Sequence, residues 1–316
     1  MKFLARLAVA AGLLAATTTA VFAGDPASCK AVRFSDIGWT DVTATTATTA
    51  MILKDLGYAP KITVLSVPVT FASLKNNNLD VFLGNWMPSM EGDIRAYLND
   101  HSVDVVRANL KGAKYTLAVP TYTYDAGLHD FADIHKFATQ LHHKIYGIEP
   151  GNDGNRHVLK MIKDNMFDLG NFQLVESSEQ GMLAEVARAV RDHKPIVFLG
   201  WEPHPMNKLY PMKYLTGGDA LFGPNYGEAT VYTNTRAGYS KACPNVGKLL
   251  ANLEFNLPME DDMMNMILTD HDDPGVAAAK YLKAHPEVLD AWLAGVTTFD
   301  GQPALPVVKK DLGVSS

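Results

Sequence analysis

Three of the four tryptophans in this 316-residue chain share a local pattern, because each comes just after an apolar segment and a glycine. The three segments are Ile37-Gly38-Trp39, Leu83-Gly84-Asn85-Trp86 and Leu199-Gly200-Trp201. In open α/β sheets ligands bind outside the carboxyl ends of the strands, where glycine lets the backbone approach closely. The pattern therefore predicts that these three indoles line one cleft. Trp292 has the spacing of an apolar helical face instead, and we expect it to pack in the core.

An acidic residue, Asp41, lies two positions after Trp39 and indicates which class of ligand the predicted cleft favours. A carboxylate beside indole faces favours a positively charged ligand. A quaternary ammonium group has no N–H to donate, but aromatic faces hold it at roughly 0.5 to 2 kcal/mol each when desolvated. The alternative role of Asp41 is to cap the helix that follows, and one side chain could serve both roles.

The composition is that of an ordinary globular chain, with 47% hydrophobic and 20% charged residues. These proportions argue against a disordered chain and against a multi-pass membrane protein. Lys and Arg number 28 against 34 Asp and Glu, and no basic block stands out. We therefore expect no nucleic-acid partner.

Residues 1–23 have the features of an export signal. Lys2 and Arg6 form a charged start, an apolar stretch follows, and Val21-Phe22-Ala23 is a small-residue cleavage site. A transmembrane anchor is the alternative, but the apolar run is shorter than the roughly 20 residues that span a bilayer. The sequence predicts an exported, acidic mature protein.

The chain has two cysteines, Cys29 and Cys243. An oxidising compartment favours a disulfide between them, which would tie the mature N-terminus to a distant segment. Two unpaired buried thiols are the first alternative. Lipidation of Cys29 is the second, although the residues before it lack the expected apolar side chain.

Short apolar runs alternate with helical patterns along the mature chain, which predicts an α/β fold with mostly parallel strands. Strands are predicted at 31–37, 61–67, 80–83, 103–106, 115–119, 144–148, 172–175, 196–199 and 228–233. Helices are predicted at 43–56, 70–77, 93–99, 155–165, 182–191, 245–256, 259–268, 275–284 and 286–293. A crossover into a second unit is expected at Pro120.

Several short motifs together carry a resemblance to a known family. They are Gly38-Trp39-Thr40-Asp41, Gly84-Asn85-Trp86-Met87-Pro88, Lys114-Tyr115, Gly151-Asn152-Asp153 and Gly200-Trp201-Glu202-Pro203-His204. Over its whole mature length the chain resembles the periplasmic substrate-binding proteins of ABC transporters that capture quaternary amines, above all the choline-binding members.

The resemblance implies a type II two-lobed clamshell with the ligand in the cleft between the lobes. Lobe I would comprise residues 27–112 and 211–316, and lobe II residues 113–210. Trp39, Trp86, Tyr115 and Trp201 resemble an aromatic box around the trimethylammonium group, Asp41 its acidic neighbour, and Asn152 the partner of the alcohol end. The implied partners are choline and a membrane permease, and the implied protein is a periplasmic monomer without cofactor, metal or catalytic residues.

Two alternatives stay open on the residues alone. Exported α/β proteins of this size are often hydrolases, here one acting on choline esters. No nucleophile elbow, phosphate loop or His-Glu-x-x-His helix is present, and the ten histidines are expected mostly at the surface. A receptor for glycine betaine or carnitine is the other alternative. Arg156 and His157, close to Asn152 in sequence, leave it open, while Asp41 would disfavour an anionic end.

Overall fold

The structure is a computed structural model that describes residues 24–314. The predicted signal peptide lies outside the described residues. Within them the strands are β1 (Ala31–Asp36), β2 (Ala59–Val64), β3 (Val81–Met87), β4 (Val103–Pro120), β5 (Lys144–Tyr146), β6 (Gln173–Val175), β7 (Phe198–Glu202), β8 (Met212–Tyr214) and β9 (Glu228–Arg236).

The helices lie between and after these strands along the chain, and several of them are only four or five residues long. They are α1 (Thr40–Asp55), α2 (Val67–Lys75), α3 (Glu91–Asn99), α4 (Thr121–Asp125), α5 (Asp153–Lys163), α6 (Glu179–Arg191), α7 (Met206–Leu209), α8 (Asp219–Phe222), α9 (Pro224–Gly227), α10 (Tyr239–Ala242), α11 (Pro244–Asn252), α12 (Leu257–Leu268), α13 (Pro274–Ala284), α14 (Val288–Trp292) and α15 (Ala304–Leu312). Three 3-10 helices span Ala27–Cys29, Phe131–Phe137 and Met166–Asp168. In residues 24–314 we find no helix with the length and apolar character of a membrane span.

All the strands belong to one mixed sheet in the order β2-β1-β3-β9-β4-β7-β5-β6, with β8 also paired to β4. The outer pairs β1–β2, β1–β3, β5–β6 and β5–β7 are parallel. The central pairs β3–β9, β4–β9, β4–β7 and β4–β8 are antiparallel. The α/β prediction is correct, but the expectation of mostly parallel strands is wrong at the centre.

The longest strand, β4, joins the two sides of the sheet. Its first part pairs with β9 and its last part with β7 and β8. The sequence predicts two separate strands here, at 103–106 and 115–119. Three register shifts along the β4–β9 pairing explain the error, because each irregularity breaks the alternation of apolar and polar residues that marks a strand. We call β2-β1-β3-β9 the first half of the sheet and β7-β5-β6 the second half. The predicted lobe boundary at 112–113 falls within β4, and the lobe limits stay a prediction.

A disulfide joins Cys29 to Cys243 with their Cα atoms 5.7 Å apart, as predicted. Asp25 strengthens the same junction, because its carboxylate accepts hydrogen bonds from the backbone N–H groups of Asn245 and Val246 at the start of α11. The Tyr58 hydroxyl donates to it as well, at 3.0 Å. The beginning of the described chain is thus bound to a segment more than 200 residues away.

Helix α1 begins directly after Trp39 and contains Asp41, and most of it is buried despite its many threonines. The hydroxyls of Thr45, Thr48 and Thr49 donate to carbonyls one turn earlier in the same helix. Threonine is tolerated at these three positions because the bonds satisfy its polar atom. Trp292, as predicted, packs in the core, with its ring 5.2 Å from that of Phe255.

Candidate functional site

The four aromatic residues of the predicted box line one cavity. Together with Ile148 they line a narrow apolar cavity of about 10 Å³, roughly the space that one water molecule needs. Each of the four aromatic side chains is at most 5% exposed. The structure therefore brings together the three indoles that the glycine pattern selected and the tyrosine that the family resemblance added.

Each ring is presented by a different element. Trp39 follows β1 and occupies the N-cap position of α1. Trp86 belongs to β3, whereas Tyr115 of β4 and Trp201 of β7 are register partners in neighbouring strands. The centroid of the Tyr115 ring lies 6.1 Å from that of Trp86 and 6.3 Å from that of Trp201, in edge-to-face arrangements.

The expectation that all three indoles follow the ends of strands is wrong for Trp86 and Trp201, which lie within strands. Glycine does not terminate these strands but makes room for neighbours. A Cβ atom on Gly84 would lie 2.4 Å from Val42 Cγ2, and one on Gly200 would lie 2.9 Å from a β4 side chain. Close packing, not strand termination, requires glycine at both positions.

Asp41 does not line the cavity but lies behind one of its walls. Its Oδ2 accepts a hydrogen bond of 3.1 Å from the Trp86 indole Nε1, and the side chain is buried. Burial, with the nearby charge of Glu179, raises the pKa of Asp41 to about 7. The helix-cap alternative is wrong, because Trp39 occupies the cap position and Asp41 is the second residue of α1.

A second carboxylate, which the sequence reasoning missed, holds the Trp39 indole. Both carboxylate oxygens of Glu149 lie 3.0 Å from Trp39 Nε1. Burial raises the pKa of Glu149 to about 7. The available signal was its place directly after a strand and before Pro150-Gly151. We call Asp41 and Glu149 the indole-bound carboxylates.

A further buried acid, Glu179, binds the residue next to Trp39. The backbone N–H of Thr40 donates to Glu179 Oε2 at 2.8 Å, and the Thr40 hydroxyl donates to Oε1. His204 accepts the Met206 N–H at its Nδ1 and donates from Nε2 to Glu179 Oε1 at 3.2 Å. His204 is therefore buried and does not follow the expectation of surface histidines.

Asn152 caps α5 and supports the box without lining the cavity. Its Oδ1 accepts from the Asn155 backbone N–H at 2.8 Å, and its Nδ2 donates to the carbonyl of Glu149 at 2.7 Å. The Tyr115 hydroxyl lies 3.4 Å from the same Oδ1. The next residue, Asp153, is fully buried, and burial raises its pKa to about 6.

The guanidinium group of Arg156 is hydrogen-bonded to residues outside the cavity. Its Nη1 contacts both carboxylate oxygens of Asp93, at 2.5 and 2.7 Å, and its Nη2 donates to the carbonyl of Ser89. His157 donates from Nε2 to the same carbonyl at 3.1 Å, and burial lowers its pKa to about 4. Neither side chain provides a positive charge to the aromatic cavity.

The site contains acids but no cluster suited to a metal. Among residues 24–314, no group of three or more His, Cys, Asp or Glu side chains is arranged to hold a metal ion. The chemistry of the cavity is thus that of an apolar aromatic enclosure with carboxylates behind its walls.

The chain is similar in sequence and fold to proteins of solved structure. The solved structure of an ABC-transporter choline binding protein in complex with choline is 59% identical, with a TM-score of 0.90, and the match covers 92% of this chain and 100% of that chain. An ABC-transporter choline binding protein in an unliganded semi-closed conformation is also 59% identical, with a TM-score of 0.84 over 91% of this chain and 100% of that chain.

A more distant relative is the glycine betaine/carnitine transport binding protein GbuC of Listeria monocytogenes serotype 1/2a (strain 10403S). It is 30% identical over 164 residues, 51% of this chain and 53% of that protein, so the match spans about half of each.

Residues 30–284 match the family model described as the substrate binding domain of ABC-type glycine betaine transport system. The matches confirm the predicted type II α/β fold and identify a substrate-binding protein rather than a hydrolase. The chain belongs to the family of substrate-binding domains of ABC-type glycine betaine transport systems.

Proposed function

We propose that this protein captures choline in the aromatic cavity and delivers it to an ABC transporter permease. One observation carries the proposal. Four aromatic rings line a single apolar cavity, and two of the three indoles donate their N–H groups to carboxylates, one buried (Asp41) and one partly buried (Glu149).

The walls suit a trimethylammonium group. The face of an aromatic ring is the negative end of its quadrupole, and a desolvated cation gains roughly 0.5 to 2 kcal/mol from each face. A quaternary ammonium needs no hydrogen-bond acceptor, so a wall without polar atoms does not penalise its binding. The box of Trp39, Trp86, Tyr115 and Trp201 supplies four such rings.

The indole-bound carboxylates add a charge preference. Burial raises the pKa of each to about 7, because the surrounding hydrogen bonds do not fully replace the water that would stabilise an ionised carboxylate. A bound cation would stabilise the ionised forms, and by linkage the ionised forms would stabilise the bound cation. The preferred ligand therefore carries net positive charge.

Glycine betaine is the second candidate, and the description of the family model favours it. Betaine shares the trimethylammonium group but ends in a carboxylate, which needs a cation or several N–H donors. Arg156 is engaged by Asp93, and the cavity is surrounded by acids instead. Choline fits this charge distribution better. We propose Asn152 as the partner of its hydroxyl group, because the Asn152 Nδ2 uses one N–H for the Glu149 carbonyl and keeps a second one to donate.

The remaining parts of the proposal concern the protein's surroundings. The predicted export signal and the family both support a periplasmic location and a membrane permease as partner. We include in the proposal the two lobes at 27–112 with 211–316 and at 113–210, closing around the ligand as a monomer.

Isothermal titration of the mature protein with choline, acetylcholine, glycine betaine and carnitine tests the proposal. We expect choline to bind most tightly, and Trp39→Ala to weaken every ligand because all share the trimethylammonium group. Binding of none of the four would contradict capture of quaternary amines. Tighter binding of betaine than of choline would overturn the choice of ligand.

A further inference from the structure

Glu149 reaches the aromatic box from the opposite half of the sheet. It follows β5 in the second half, whereas its partner Trp39 follows β1 in the first half. The two residues are 110 positions apart, yet both Glu149 oxygens lie 3.0 Å from the indole Nε1. This bond bridges the two halves at the cavity wall.

The loop that carries Glu149 is held by side-chain amides. Asn155 accepts the Ile148 N–H at its Oδ1 and donates from Nδ2 to the Ile148 carbonyl, each at 3.1 Å. Asn155 and Asn152 also donate to the Glu149 carbonyl, at 3.2 and 2.7 Å. The loop thus presents Ile148 to the cavity and fixes the Glu149 backbone beside it.

Two walls of the cavity are each backed by a carboxylate. Asp41, from α1, accepts from the indole of Trp86, and Glu149 accepts from that of Trp39. A cation inside the box would be attracted by both carboxylates through the rings that they hold. A neutral molecule of the same shape would fill the same cavity but would gain no binding energy from attraction to either carboxylate.

We propose that Glu149 is a positioning and specificity-determining residue for the captured cation. It holds the Trp39 ring in place as a wall and contributes a negative charge that separates cations from neutral molecules of equal shape. This inference rests on the proposed function, since it assumes that the box takes a quaternary ammonium ligand.

The test compares choline with 3,3-dimethylbutan-1-ol, in which carbon replaces the ammonium nitrogen. In Glu149→Gln the amide oxygen can still accept from the indole, so the change mainly removes charge. We expect the preference for choline over the neutral analogue, measured by calorimetry, to fall about tenfold. Glu149→Asp keeps the charge with a shorter reach, so affinity for both ligands should fall while the preference remains.

Glu185→Gln is the matched control, because it removes one negative charge from the exposed Glu185–Arg188 pair on α6. It should leave the preference unchanged. If the wild-type protein binds no quaternary ammonium, the proposed function fails. If the wild type prefers choline and Glu149→Gln retains the full preference, only the role of Glu149 fails. Failure of both Glu149 variants to fold would also overturn the inference, since the residue would then serve folding.

Discussion

Replacement of Asp41 by asparagine should change which ligand the protein prefers. The asparagine Oδ1 can still accept the hydrogen bond from Trp86 Nε1, which is 3.1 Å long in the native protein. The substitution therefore preserves the wall of the cavity and removes one negative charge behind it. Choline should lose affinity, while glycine betaine should lose less or gain, because its own carboxylate is no longer repelled.

The separation between the cation and the Asp41 carboxylate sets the size of this effect. For a separation of about 7 Å, an effective dielectric near 20 gives an attraction of roughly 2.4 kcal/mol. Relaxation of the site and the residual protonated fraction of Asp41 at the assay pH reduce the net loss. We expect about 1.4 kcal/mol, which is a tenfold rise in the choline Kd.

Calorimetric titration at pH 8 with both ligands measures the effect, since Asp41 is then mostly ionised in the native protein. Glu185→Gln serves again as a control for the loss of one charge. Equal weakening of choline and betaine, or no weakening of either, would refute the electrostatic role of Asp41. The residue would then act only as a support for the Trp86 ring.

Three further predictions concern pH, the disulfide and the packing around the box. The indole-bound carboxylates have pKa values near 7 when the box is empty, so their ionisation should lower the stability of the empty protein as pH rises from about 4 to about 7, with no further loss above that. Choline favours the ionised carboxylates, so it should bind more weakly and raise Tm less at pH 5.5 than at pH 8. A choline Kd independent of pH across this range would contradict the coupling. The double variant Cys29→Ser with Cys243→Ser should lower the free energy of unfolding, measured by chemical denaturation, by about 2 to 5 kcal/mol, while its choline affinity stays close to native. Unchanged stability would contradict a stabilising role for the disulfide. Gly154→Ala should raise the choline Kd more than about tenfold, because the alanine Cβ would lie 2.0 Å from the Tyr115 hydroxyl oxygen and displace that ring. Native choline affinity in a variant with a native circular dichroism spectrum would contradict this expectation.

The sequence predicted much of the box because its signals are local. A glycine one or two positions before a tryptophan can be recognised within four residues, and this pattern predicts Trp39, Trp86 and Trp201 together. Tyr115 has no such local mark and came only from the family resemblance. The disulfide was accessible for another reason, since two cysteines in an oxidising compartment allow only one internal pairing.

The acids around the box could not be assigned in this way. Glu149 meets its indole partner across 110 residues, and Glu179 meets Thr40 across 139. No spacing rule links residues so far apart in the chain. The burial of His204 has the same origin, because its partner Glu179 comes from another element of the fold. The length of β4 was missed because irregular pairing with β9 interrupts its hydrophobic alternation.

A crystal structure of the protein with choline tests the central claim most directly. We expect the trimethylammonium nitrogen to lie inside the cavity within about 6 Å of the ring centroids of Trp39, Trp86, Tyr115 and Trp201. The choline hydroxyl should point towards Asn152. Choline bound outside this cavity, or an ammonium group that contacts rings from only one half of the sheet, would contradict the account.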